Sequence, residues 1–257
     1  MPPALRRSLR VAVLVPLIAL AACGGDDGAA EPAATSSAPE SSEAGSSGAE
    51  ETSAPELASG LLPADAFGPD ASVVAVTAEQ LQQSAVLAEA DAAGVQVTPK
   101  DCSAAVAGAQ PDFSDFDDVA AQAATVGTAS VVEVLVRGGP VQEVFDQLAG
   151  AAERCPSAQV TSPQIGQAQL TFENLPVADL GDGAALLRNV TTVVLPDGTQ
   201  ATVPTLIAAA LDGDRLVMLI NVDTGAAVAG GTPAPAATDE FGALFEQAFE
   251  VQAAALD

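Results

Sequence analysis

The sequence predicts an α+β domain in which a mainly antiparallel sheet is packed by helices. Three observations lead there. In the second half, β-branched and apolar runs at 168–172, 184–195, 200–210 and 215–222 follow one another across short breaks rich in Asp, Gly and Pro. Consecutive strands joined by tight turns pair antiparallel, which favours this class over a doubly wound parallel sheet. Two stretches, 140–155 and 238–253, instead repeat their apolar residues at helical spacing. About 200 residues remain after a low-complexity N-terminal stretch, a length that suits one domain with a sizeable core.

Residues 1–22 read as a signal peptide. Arg6, Arg7 and Arg10 form a basic beginning, an apolar run covers 11–20, and small residues precede Cys23. The apolar run is well short of the roughly 20 residues of a membrane-spanning helix. Leu20-Ala21-Ala22-Cys23 resembles the bacterial lipobox, in which the chain is cleaved before the cysteine and its thiol carries diacylglycerol. Lipidation is therefore expected on Cys23, with the protein held on the extracytoplasmic face of the cell membrane. Arg6-Arg7 leaves the export route open between the general and twin-arginine systems.

Residues 23–56 form a tether. From Gly24 to Pro55 the chain is Ser, Thr, Ala, Gly, Pro, Glu and Asp with no large apolar side chain, so burial cannot offset the entropy of ordering. Self-repelling acidic residues extend such a coil.

The folded part, 57–257, begins with a lead-in at Leu57 to Leu62 followed by Pro63. A valine-rich strand starts near Ser72, and Thr77 with Gln80 makes a capping box for a helix over 78–92, ended by Gly94. Residues 129–136 are a strand, and Arg137-Gly138-Gly139 its turn. Pro140 opens a helix through Val141, Val144, Phe145, Leu148 and Ala152 that delivers Cys155 at its end. After the four strands of the second half, Thr238-Asp239-Glu240 caps a last helix, in which Phe241, Leu244, Phe245, Ala248 and Phe249 face the sheet.

Composition narrows function. Cleavage removes three of eight basic residues and none of 34 acidic ones, leaving five against 34, a formal charge of −29. Nucleic acid is excluded as a partner, because phosphate binding needs clustered Lys and Arg. Anionic headgroups are repelled, leaving the lipid as the membrane attachment. The chain has no His, Trp or Tyr and a single lysine, Lys100. Histidine-based triads are impossible, the commonest zinc ligand is missing, and no cofactor is implied. A non-catalytic protein is expected, since no carboxylate pair stands out for acid catalysis.

With Cys23 assigned to lipid, Cys102 and Cys155 form an even pair in an oxidising compartment, and a disulfide is expected between them. Closing about 50 residues contributes roughly 4 kcal/mol through loop entropy. The spacing is not that of a Cys-x-x-Cys redox motif.

Asp112, Asp115, Asp117 and Asp118 form the densest acidic cluster. Their spacing fits no calcium-binding EF-hand loop, Phe113 and Phe116 interrupt them, and helix capping or a solvated loop explains them. Asp197, Asp212 and Asp214 lie in expected turns. Because cations are scarce, Arg137, Arg188 and Arg215 are the candidate anchors for an anionic ligand, with Arg154 a further guanidinium; carboxylate partners are the alternative role for each. Asn189-Val190-Thr191 matches a glycosylation sequon but falls inside an expected strand.

From residue 57 onward the order of elements resembles the PknH-like extracellular sensor domain of mycobacterial receptor kinases and related actinobacterial lipoproteins. The carrying residues are Leu61-Leu62-Pro63, Cys102 after the first helix, Val131-Val132-Glu133-Val134, Ala152-Glu153-Arg154-Cys155-Pro156, the pair around Asp212-Gly213 and the terminal amphipathic helix. The resemblance implies a strongly curved sheet with a cleft against its helices and an unidentified small-molecule or protein ligand. Where that family has more disulfides, this chain has one candidate pair, and it has no kinase domain. Two functions follow as expectations: a ligand-binding or sensor-type envelope lipoprotein, or an interaction module that scaffolds or regulates a membrane enzyme.

Overall fold

The computed structural model describes residues 56–77, 79–83, 94–107, 112–162, 166–194, 198–223, 225 and 238–257. The signal peptide, Cys23 and the tether lie outside the described residues, as do most of the expected first helix and Asp197. The unit from Pro55 to Asp257 is built on one curved open sheet, and it is α+β as the sequence predicts.

Among the described residues nine strands pair in the order β1-β3-β4-β9-β8-β7-β6-β5-β2, every neighbour antiparallel. They are β1 (Ser72–Val76), β2 (Gln96–Thr98), β3 (Asp118–Val126), β4 (Ala129–Arg137), β5 (Ser157–Ser162), β6 (Gly166–Leu175), β7 (Gly183–Val194), β8 (Gln200–Asp212) and β9 (Arg215–Asp223). The helices are α1 (Ser103–Ala107), α2 (Val141–Ala149), α3 (Ala151–Arg154) and α4 (Thr238–Leu256). Strands β5 to β9 are sequential neighbours, and β9 then pairs with β4. Between β4 and β5, α2 and α3 cross one face of the sheet. After β9, α4 returns over the other.

Each central strand therefore feeds two cores. On β8, Ile207, Ala209 and Leu211 join Val141, Leu148 and the buried cysteines on the α2 face, while Leu206, Ala208 and Ala210 meet Phe241, Phe245 and Ala248 of α4. Burial on both sides explains why β8 and β9 read as nearly continuous apolar runs instead of alternating ones. The three consecutive alanines of β8 are almost wholly buried between the two helical layers.

Several local readings are realised. Thr77 donates its amide to Gln80 Oε1 at 2.8 Å and accepts from the Gln80 amide at 3.3 Å, a reciprocal capping box at the start of helical residues 79–83. Gly213 and Asp214 form the two-residue turn joining β8 to β9. After β4 the chain needs glycine twice. Gly138 and Gly139 have φ of 70° and 60°, and a Cβ on Gly139 would stand 2.2 Å from the Asp115 carbonyl oxygen.

Other readings are corrected. The stretch 140–155 is two helices, broken at Gly150, where the Arg154 guanidinium folds back to donate to the Asp146 and Gln147 carbonyls and so closes the end of α2. Strands β3, β5 and β2 are additions. β3 is alanine-rich, and its ladder with β4 and double burial outweigh weak strand propensity. Asp118 is accordingly the first residue of a strand, not part of a loop.

Candidate functional site

The three arginines marked by the sequence do not converge on one cleft. Two of them stand side by side. Arg137 ends β4 and Arg215 begins β9, and the two are register partners. Asp118 on β3 is opposite Arg137, and Asp212 on β8 is opposite Arg215. The result is a row Asp118, Arg137, Arg215, Asp212 across four strands at one end of the sheet. Its direct ion pairs are Arg137 Nη2 to Asp118 Oδ2 at 2.8 Å and Arg215 Nη2 to Asp212 Oδ2 at 2.7 Å.

Alternation places this row on the α4 face, and α4 uses it. Gln252, 1% exposed, donates to Asp212 Oδ2 at 2.8 Å, and the Asp257 carboxylate pairs with Arg215. Burial works against the charge of Arg215, but the two aspartates outweigh it and hold the guanidinium more firmly protonated than usual. Arg215 Nε and Gln252 Oε1 are buried without a hydrogen-bond partner. Arg188 lies on β7, opposite Glu173 of β6, pairs with it at 3.1 Å and donates to Thr238 Oγ1 at the first turn of α4. Arg188 and Arg215 thus hold the two ends of the same helix.

The acidic cluster disperses. Asp112 caps a short 3-10 turn at Phe113–Asp115, accepting from the Ser114 amide at 3.0 Å and hydroxyl at 2.7 Å, and these bonds hold its carboxyl below the ordinary range. Asp118 goes to Arg137. Among the described residues no group of three or more metal-ligating side chains assembles. Asn189 and Thr191 sit within β7, as expected. Cys102 and Cys155 are bonded, with Cα atoms 5.2 Å apart and both side chains buried, so the crossover before β3 is stapled to the end of α3. Beside them Ala105, Leu148, Ala151, Phe172, Leu187 and Ile207 line a recess with Gln147 at its rim. It has room for about one water.

Sequence reading missed one polar centre. Glu133, at the middle of β4, is fully buried on the α4 face. Its carboxylate oxygens accept from the Leu62 amide at 3.2 and 3.1 Å, and Oε2 also accepts from Gln122 Nε2 at 2.6 Å. Gln122 Nε2 donates in addition to the Leu62 carbonyl at 2.8 Å. The signal was a lone carboxylate inside an otherwise apolar strand, Ser130-Val131-Val132-Glu133-Val134-Leu135. Burial pushes the Glu133 carboxyl above the ordinary range, against the opposing pull of its bonds from Gln122 and Leu62.

Comparison with known proteins yields structural likenesses at low identity. A crystal structure of an uncharacterised Mycobacterium smegmatis protein, the Rv0999 ortholog, superposes with a TM-score of 0.48 at 13% identity, over 77% of this chain and 97% of that one. No protein-family model matches the chain. No curated protein matches it either.

Proposed function

We propose that this chain is a lipid-anchored envelope protein of the extracytoplasmic membrane face, whose folded unit is a non-catalytic ligand-binding or sensor-type domain of the PknH-like kind. The carrying observation is the division of labour among three cysteines. Cys102 and Cys155 are spent on a buried disulfide, the bond of an oxidising compartment, and Cys23 stands where a lipobox requires its acceptor thiol. Support for a non-catalytic role comes from the composition, which lacks histidine and offers one lysine. The single antiparallel sheet with helices on both faces suits the family resemblance drawn from Leu61-Leu62-Pro63 and Arg154-Cys155-Pro156.

The test is fractionation with intact mass. Wild type is expected in the membrane fraction with a mass beginning at diacylated Cys23, and a Cys23→Ala variant is expected to leave that fraction. An unmodified wild-type N-terminus, or a variant that stays with the membrane, would sink the anchor. Native mass spectra of the same material, compared with denatured ones, would show a retained ligand as extra mass.

A further inference from the structure

The lead-in, Leu57 to Phe67, is a strap. Two 3-10 turns, Leu57–Gly60 and Ala64–Phe67, and the link between them lay Leu57, Phe67 and the link residue Leu62 into the α4-face core. The first turn packs on β3, β4 and α4 together. Gly60 is closely enclosed there, since a Cβ would stand 2.9 Å from both Leu135 Cδ2 and Leu256 Cδ1 and those leucine ends would have to shift to admit it. Directly after it, Leu62 is fastened to the sheet by polar bonds, amide to Glu133 and carbonyl to Gln122. The residues beneath include Ala120, Ala124, Val131 and Leu135.

We infer that the strap is a conformational device governed by the protonation of Glu133, held closed when the carboxyl is neutral and released more readily when it is ionised. The geometry supplies the reason. An ionised carboxylate buried among neutral groups lacks the solvation or counter-charge that would stabilise it, and two neutral donors offset only part of that cost. Opening the strap returns water to it. The neighbours do not alter the sign. Gln122 from β3 and Leu219 from β9 are uncharged, and Gln252 is the buried polar residue of α4. On the same face Asp118, Arg137 and Arg215 sit four residues along their strands and are paired in the sheet-end row. Glu56 just before the strap and Asp65 on it, with Glu246 and Glu250 on α4, are exposed. Burial raises the closed-state carboxyl, whereas the open state titrates normally, so the closed form binds more protons. Closure is strongest below the ordinary carboxylate range and weakens as pH rises through the closed-state titration.

Hydrogen exchange on the full chain tests this, with rates corrected for the intrinsic pH dependence. Protection of peptides spanning 57–67 is expected to fall by up to tenfold per pH unit across that interval, while peptides from β8 and β9 keep theirs. Glu133→Gln should hold the strap protected and flat with pH. Gln122→Met, which removes one donor to the carboxylate, should carry the pH-dependent loss to higher pH whatever its baseline. A wild-type strap whose protection ignores pH, a loss shared equally by β8 and β9, or a Gln122→Met profile with an unchanged pH range would overturn the device.

Discussion

The two faces of the sheet are held by different chemistry. On the α2 face the crossing helices are short, and the chain is closed covalently where Cys155 follows α3 and meets Cys102. On the α4 face there is no covalent tie among the described residues. A 19-residue helix buries Phe241, Phe245 and Ala248, arginines meet it at either end, and the strap wedges beneath it. The lesson concerns cost. Short helices bury little, so the first face leans on reduced chain entropy in the unfolded state. The second has enough apolar area to tolerate a buried carboxylate, and the strap above Glu133 is where that tolerance shows.

Substitutions can break or sharpen this contrast. The largest effect belongs to Phe245→Ala, because the ring is fully buried at the centre of the α4 face. It is expected to cost about 4 kcal/mol in denaturant unfolding. Replacing Cys102 and Cys155 together by alanine removes up to about 4 kcal/mol in the loop-entropy treatment. If the faces differ as described, exchange should rise first in α2 and α3 for the cysteine variant and first in α4 for Phe245→Ala. Uniform loosening in both would erase the distinction.

The arginine row gives a smaller, internal contrast. Arg215→Met breaks contacts to Asp212 and Asp257 at a side chain only 12% exposed, but it also removes the unpartnered buried Nε. A loss of about 2 kcal/mol is expected from thermal unfolding. Its neighbour Arg137, 29% exposed and paired with an Asp118 that is 41% exposed, should cost within about 1 kcal/mol on the same substitution. Equal costs would mean that pairing to α4 adds nothing. Glu133→Gln refines the contrast from the other side. It should stabilise the fold near neutral pH and lose that advantage below the ordinary carboxylate range, where wild-type Glu133 is itself protonated.

Much of this was legible in the residues. Turn chemistry at Asp212-Gly213-Asp214, the capping box of Thr77 and Gln80, and the helical periodicity of 238–253 are local signals, and local signals survive without knowledge of the fold. The even pair of cysteines inside the folded part likewise made the disulfide readable. β3 was not legible, because Val119-Ala120-Ala121-Gln122-Ala123-Ala124 carries weak strand propensity and becomes a strand through pairing with β1 and β4. β5 alternates buried and exposed residues and could have been found by its period of two.

The sequence by itself determined the fold class, the kinds of chemistry open to the chain and the pairing of its cysteines, since composition and short-range pattern carry those directly. Tertiary structure alone decided what each scarce charge does. Arg137 faces Arg215 because β9, the last strand, pairs with β4 across a long sequence separation, and Glu133 lies buried because the lead-in folds back over the middle of the sheet. Such neighbours are set by the topology of the sheet, and no local window of residues contains them.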